Sequence, residues 1–163
     1  MNATVTRKTQ VPLVLHADTA ADLMVSNPIS LRAEAGIEEA MVLFTQKGIT
    51  AAPVIDEAGH PIGVVSRSDL LIHQREHEKH RAGMPDYFFA PTFESNHALD
   101  HTTSTVADLM TPAVFAVSPD TPVQRVVSDM IGLHVHRLFV VDDDGILVGV
   151  ISTMDVLKRL RAE

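Results

Sequence analysis

Residues 21–71 can be laid on residues 107–157 without a gap, and 12 of the 51 positions are identical. Ala21-Asp22-Leu23-Met24 matches Ala107-Asp108-Leu109-Met110. Gly63-Val64, Ser66, Asp69 and Leu71 match Gly149-Val150, Ser152, Asp155 and Leu157 at the same offset of 86. Val54, Asp56 and Gly59 match Val140, Asp142 and Gly145. Similar pairs fill the intervals: Glu34 with Asp120, Ile37 with Val123, Ile55 with Val141, and Val65 with Ile151. A constant offset over this length marks a duplication, so the fold has to be built from two copies of one small motif.

Each copy reads as the same series of elements. A short helix, Ala20–Met24 or Val106–Met110, leads in. A short strand follows, near Ile29-Ser30-Leu31 or Val114-Phe115-Ala116-Val117. The next helix carries an apolar stripe at helical spacing: Ile37, Ala40, Met41 and Phe44, or Val123, Val126, Val127 and Met130. In the second copy Asp120-Thr121-Pro122 predicts a capping residue followed by Pro at the first helical position. An apolar strand then runs through Ala52-Pro53-Val54-Ile55 or Leu138-Phe139-Val140-Val141. Gly59 and Gly145 close the turns after these strands, where a positive φ suits a hairpin. The return strands, Ile62–Val65 and Leu147–Ile151, meet a last helix at Ser-x-x-Asp. The expected fold class is α/β, helix–strand–helix–strand–strand–helix twice over, with two three-stranded sheets and four main helices.

This reading divides the chain into an N-terminal arm (1–19), repeat 1 (20–73), a connector (74–105) and repeat 2 (106–163). The connector begins with the charged run from Gln74 to Arg81, which extends the preceding helix until Gly83 and Pro85 stop it. It then gathers Tyr87, Phe88, Phe89 and Phe93, an aromatic patch expected to pack on the domain or on a neighbouring subunit.

Composition removes several function classes. Cysteine is absent, which excludes disulfides, thiolate catalysis and cysteine-based zinc sites. A formal charge of −8 argues against a nucleic-acid surface, since neutralising phosphates needs a basic face. No apolar run reaches the roughly 18 residues of a membrane span, and the run Val11–Leu15 is too short for a secretory core. A soluble cytoplasmic protein is expected. There is no Gly-x-Ser-x-Gly elbow, Walker loop or His-Glu-x-x-His, so no catalytic role is expected.

The paired corners, Ser66-Arg67-Ser68-Asp69 and Ser152-Thr153-Met154-Asp155, admit two readings. Ser-x-x-Asp ahead of an apolar run is close to a capping box, a purely structural device. It also presents a carboxylate that can accept two hydrogen bonds from a ribose diol, a hydroxyl suited to a phosphate or ribose oxygen, and a helix N-terminus that suits phosphate.

Two blocks carry a resemblance to a known family. One is Gly48-Ile49-Thr50-Ala51-Ala52-Pro53-Val54-Ile55-Asp56 running to Gly63–Leu71. The other is His136-Arg137-Leu138-Phe139-Val140-Val141-Asp142 running to Gly149–Leu157. With Asp22-Leu23-Met24 and Asp108-Leu109-Met110-Thr111 ahead of them, they resemble the CBS domain, named after cystathionine beta-synthase. The resemblance covers about residues 20–73 and 106–160. It implies two repeats related by a pseudo-two-fold axis, association into a homodimer, and clefts between repeats that take an adenosyl nucleotide of the AMP, ADP, ATP or S-adenosylmethionine class. It implies a regulatory module acting on a protein partner as yet unknown, with no covalent cofactor.

Carried over residue by residue, the resemblance assigns Ser152, Thr153 and Asp155 to one site, with Met24, Val25 and Ile29 from the lead-in of repeat 1. The other site takes Ser66 and Asp69, with Met110, Thr111, Val114 and Phe115, and Arg67 as a phosphate contact. In the family, the loop before the second strand often supplies a basic group or a histidine near the phosphate. Repeat 1 has Gly48 there and repeat 2 has His134, which favours the Asp155 site for a charged nucleotide. Met24-Val25 departs from the Met-Thr that Met110-Thr111 keeps, which removes a polar contact from repeat 1.

Two other readings compete. One is a ligand-free interaction or scaffold dimer, in which both corners are caps only. The other is a metal-responsive regulator using His73, His77 and His80, which share a helix face at i, i+4 and i+7; His97 and His101 repeat the i, i+4 spacing. Asp142-Asp143-Asp144-Gly145 resembles the start of a calcium loop, but position 12 is Thr153 where glutamate is required, so a hairpin turn is expected.

Overall fold

The computed structural model describes residues 11–82 and 104–163, with the side chains of residues 76–82 left outside that description. The aromatic stretch 86–93, His97, His101 and the side chains of His77 and His80 therefore lie outside the described residues.

The repeat is visible in the elements. Repeat 1 supplies α1 (Ala20–Leu23), β2 (Val25–Ser26), β3 (Leu31–Arg32), α2 (Ile37–Lys47), β4 (Ala51–Ile55), β5 (Pro61–Ser66) and α3 (Arg67–Ala82). Repeat 2 supplies α4 (Val106–Leu109), β6 (Ala116–Val117), α5 (Val123–Gly132), β7 (Arg137–Val141), β8 (Leu147–Ser152) and α6 (Thr153–Lys158). Near the two ends of the chain, β1 (Leu13–Leu15) pairs antiparallel with β9 (Leu160–Ala162).

The offset of 86 holds at the level of strand register. Leu31 pairs with Val54 and Val117 pairs with Val140, both in parallel ladders. Thr19 bridges Pro122, and Thr105 bridges Gly36. Val25 pairs with Val150, and Thr111 pairs with Val64. In the last two sets each lead-in pairs with the core of the other repeat.

The chain accordingly forms two compact units that do not coincide with the repeats. Unit 1 joins Met1–Ser26 to Phe115–Asp143 and Val148–Glu163; unit 2 joins Asn27–Val114 to Asp144–Leu147. Unit 1 centres on Ala20, Leu23, Val126, Leu138, Val140 and Ile151, with Met130 beside them. Unit 2 centres on Leu31, Ala40, Phe44, Val54, Val65 and Val106. Thus α1 packs in the core of repeat 2 and α4 in that of repeat 1.

The lead-ins are held by backbone bonds. Ala20 N–H donates to Thr121 O (2.8 Å), and Val106 N–H donates to Ala35 O (2.9 Å). Both short helices begin with a capping box, Thr19 with Asp22 and Thr105 with Asp108. Met24 and Met110 follow them, each over a glycine. A Cβ at Gly149 would overlap the Met24 sulfur, and one at Gly63 would lie 2.8 Å from both the Met110 sulfur and the Thr111 carbonyl oxygen. The identical glycines are therefore seats for the identical methionines.

Three expectations are corrected. Helix α5 starts at Val123, with Pro122 as N-cap rather than first helical residue, because Pro122 is held extended (ψ 140°) in a bridge with Thr19. Besides the terminal pair, the sheets have four strands (β2-β8-β7-β6) and three strands (β3-β4-β5), not three and three. Ser26 continues the pairing of Val25 onto Gly149, whereas Pro112 follows Thr111 and has no N–H to give. Met41, read as part of the core stripe, is exposed.

Candidate functional site

The two corners are built alike, as strand ends running straight into helices. In unit 1, Ser152 has extended backbone (φ −106°, ψ 162°) and caps α6. Its N–H and hydroxyl both donate to Asp155 Oδ2, at 2.9 and 2.5 Å, and Asp155 N–H donates back to Ser152 Oγ at 3.3 Å. In unit 2, Ser66 N–H and hydroxyl each donate to Asp69 Oδ2 at 2.7 Å, and Asp69 N–H points back to Ser66 Oγ at 3.4 Å. Both corners are therefore capping boxes. The box engages one carboxylate oxygen, Oδ2, and fixes the side chain at the mouth of the corner.

The corners differ in the surroundings of that carboxylate. Asp155 Oδ1 lies 3.4 Å from Lys158 Nζ, and the Asp155 side chain is only 14% exposed. Burial pushes its pKa up, but the Ser152 hydroxyl, the Ser152 N–H and Lys158 outweigh this and hold the carboxyl below its ordinary value. Asp155 is therefore a stable carboxylate at neutral pH.

The residue after each serine is occupied by local bonds. Thr153 N–H donates to His136 O (3.1 Å), and its hydroxyl reaches the same oxygen at 3.4 Å. Arg67 N–H donates to Thr50 O (2.9 Å). The Arg67 guanidinium donates to Ile49 O (3.0 Å) and Phe44 O (3.4 Å), the carbonyls at the C-terminal end of α2. This is a cationic cap on a helix C-terminus.

A groove runs beside each corner, between the two long helices of the repeat. In unit 1 it holds about 500 Å³ and is lined by Val127, Met130, Ile131, Val135 and Val156, with His134, His136 and Thr153 as its polar side. In unit 2 it holds about 400 Å³ and is lined by Met41, Phe44, Thr45, Arg67, Leu70, Leu71 and Gln74. Adding 86 carries Met41, Phe44, Thr45, Arg67 and Leu70 onto Val127, Met130, Ile131, Thr153 and Val156. The same groove has thus been furnished twice.

His134 stands where Gly48 ends α2. Both are left-handed, with φ of 56° and 64°. Glycine is the usual occupant of such a helix end; a histidine there places an imidazole beside the groove at a conformational cost. His136 also lines this groove. The sequence reading selected His134 and passed over His136, although the contrast of His136 with Thr50 in the repeat register was available.

Of the other selected residues, Met24 and Val25 join unit 1, where Val25 pairs with Val150 on the strand that ends in Ser152. Met110, Thr111 and Val114 join unit 2, where Thr111 pairs with Val64 on the strand that ends in Ser66. Ile29 belongs to unit 2 and Phe115 to unit 1. Phe115 O accepts from Phe139 N–H at 2.9 Å. Among the described residues no group of three or more His, Asp or Glu is placed to hold a metal ion, and no helix is long and apolar enough to cross a membrane.

Comparison with known proteins places this geometry. The model of the CBS domain matches residues 20–76 and 106–162. The chloroplastic CBS domain-containing protein CBSX2 of Arabidopsis thaliana is 30% identical over 165 residues, covering 96% of this chain and 69% of its own length. CBSX1 from the same plant is 32% identical over 131 residues, which span 75% of this chain and 54% of that protein; the match thus covers about half of CBSX1. A crystal structure of CBSX2 in complex with AMP superposes with a TM-score of 0.64 at 26% identity, covering 87% of this chain and 95% of that one.

Proposed function

The chain belongs to the CBS domain family, and from that premise we propose that it is a regulatory module that binds an adenosyl nucleotide and catalyses no reaction of its own. Repeats at 20–73 and 106–163 bind, flanked by the arm 1–19 and the connector 74–105. One observation carries this reading. Each Ser-x-x-Asp box spends only Oδ2 on the cap; Oδ1 of Asp155 lies 3.4 Å from the Lys158 ammonium and, with two lone pairs, can still accept from a ribose hydroxyl. That similar CBSX2 takes AMP supports the ligand class.

The two sites are unequal. Asp155, Ser152 and Thr153, with His134, Met24 and Val25, form the site for the charged nucleotide. Ser66 and Asp69, with Met110, Thr111 and Val114, form the weaker one, because Arg67 is already committed to the end of α2.

Calorimetric titration with AMP, ADP, ATP and S-adenosylmethionine tests the reading. At least one should bind below millimolar concentration, and Asp155→Ala should weaken binding more than Asp69→Ala. A ligand at 100 times its dissociation constant adds about 2.7 kcal/mol of native-state stability, which a thermal shift registers. No binding by any of the four, or unchanged affinity in both variants, sinks it.

A second reading rests on exposed apolar helix faces. Met41, Val42, Leu71 and Ile72 are exposed on unit 2, and Ile131, Met154 and Leu157 on unit 1. They suit self-association into a homodimer. Sedimentation equilibrium tests it: Ile72→Glu combined with Ile131→Glu should lower the mass from dimer to monomer, and a wild-type monomer at all concentrations rejects it.

A further inference from the structure

Each repeat has a hairpin turn ending in a left-handed glycine, Gly59 (φ 95°) or Gly145 (φ 81°). The residue after each glycine lies over the other glycine. A Cβ on Gly59 would sit 3.4 Å from Ile146 Cγ2, and one on Gly145 would sit 3.2 Å from His60 Cδ2. Leu147 N–H donates to Gly59 O at 3.1 Å, and residues 144–147 fold as part of unit 2. His60 and Ile146 are equivalents in the repeat. One half of this reciprocal contact is therefore aliphatic and the other half ionisable.

The ionisable half has a specific geometry. Asp56 Oδ1 accepts from His60 N–H at 2.8 Å, and Asp56 Oδ2 lies 2.9 Å from the ring Nδ1. The other ring nitrogen, Nε2, lies 3.1 Å from the backbone carbonyl oxygen of Asp144. A carbonyl has no proton to give, and neither has an ionised carboxylate. The His60 ring bond, first among several, holds Asp56 below the ordinary carboxylate range. A neutral imidazole carries one N–H and can satisfy one of these acceptors; the imidazolium satisfies both.

We propose that His60 is a proton-operated latch: its imidazolium ties the Asp56 turn to the strand-end segment 144–147, and loss of one proton releases one of the two bonds. The charged groups on the two turns are Asp56 and Glu57 on one and Asp142, Asp143 and Asp144 on the other. All are acidic, and an acidic surrounding favours the protonated ring. The repeat-equivalent Ile146 gives the opposite turn no such response.

The sign follows from linkage. The His60 contribution is complete below the unfolded histidine value of about 6.5 and is lost as pH rises through the folded midpoint. The Asp56 contribution is present above the unfolded carboxylate value and is lost as pH falls through its lowered folded one. The latch is closed between those limits.

Nitrogen NMR of the uniformly labelled full chain tests this, with His60 assigned by comparison with His60→Gln. Below the midpoint both ring nitrogens should show protonated shifts. The midpoint should drop by about half a pH unit in Asp56→Asn, the size expected of a half-exposed ion pair. In parallel, the melting temperature of wild type should exceed that of His60→Gln at pH 6, and the gap should narrow by pH 8. A His60 midpoint equal in wild type and Asp56→Asn, or a melting gap constant across pH, overturns the latch. The titration of wild type and Asp56→Asn decides the matter even if His60→Gln folds poorly.

Discussion

The corner at Ser66–Asp69 and the corner at Ser152–Asp155 share a capping box to within a few tenths of an ångström. They share almost nothing in the residues beside it. Arg67 spends its charge on the end of α2, while Thr153 leaves its groove to two imidazoles. Asp155 has a lysine at its second oxygen. Duplication thus preserved the element that holds the carboxylate and left the rim free to diverge. What the two copies keep in common fixes the carboxylate, and the differences between them lie in the charged and polar groups around it.

The comparison is tested most severely in the cores. Phe44 and Met130 are equivalent and buried, at 1% and 7% exposure. Phe44→Ala should cost about 4 kcal/mol and Met130→Ala about 3 kcal/mol in urea unfolding, from the size of the void each leaves. A reversed order would mean that unit 1 tolerates a void less well than unit 2.

The methionine seats come next. Gly63→Ala puts a Cβ against the Thr111 backbone oxygen as well as Met110, whereas Gly149→Ala puts one against the sulfur, Cγ and Cβ of Met24. The Met24 sulfur can turn aside, but its Cβ is as fixed by the backbone as the Thr111 carbonyl is. Each change should cost about 2–3 kcal/mol. Adding Met24→Ala to Gly149→Ala should cost less than the sum of the two single changes; strict additivity in that double-mutant cycle would remove the seat from the account.

Removing the cap charge acts more gently. Asp155→Asn should destabilise by about 1 kcal/mol at pH 7. Because the folded Asp155 carboxyl is held below its ordinary value, its contribution is present above the unfolded value and fades as pH falls through the lowered one. The difference between Asp155→Asn and wild type should therefore shrink on acidification below about pH 4. A difference that stays constant to pH 2.5 contradicts the charged cap.

The smallest effects are at the helix ends. Gly48→His should lose about 1 kcal/mol, since a side chain then enters a left-handed position. His134→Gly should change stability by less than that, and in the favourable direction in circular-dichroism melts. A loss of nucleotide affinity in His134→Gly without loss of stability would mark the imidazole as kept for binding.

Much of this was legible in the chain. The offset of 86 predicted the strand registers, because side chains that must face the same way in two copies are constrained alike. The turns ending at Gly59 and Gly145 follow from a φ that only glycine adopts cheaply. The exchange of lead-ins was not legible from pattern alone. Amphipathic spacing tells that Leu23 and Val106 are buried, never against which copy. The start of α5 was misjudged for the same reason, since Pro122 is held extended by Thr19, a residue far away in sequence. Ser-x-x-Asp was readable as cap or ligand corner, and the cap proved real at both sites. That Nη2 of Arg67 reaches the Ile49 carbonyl was not readable from the sequence.

The exchange of lead-ins also sets an order of assembly on the ribosome. Unit 2 lacks only residues 144–147 once Val114 has been made. Unit 1 stands differently: α1 has no core to enter until α5, β7 and β8 are synthesised, and β1 waits for β9. These two elements are thus made before the rest of their unit and are among the last to find their places.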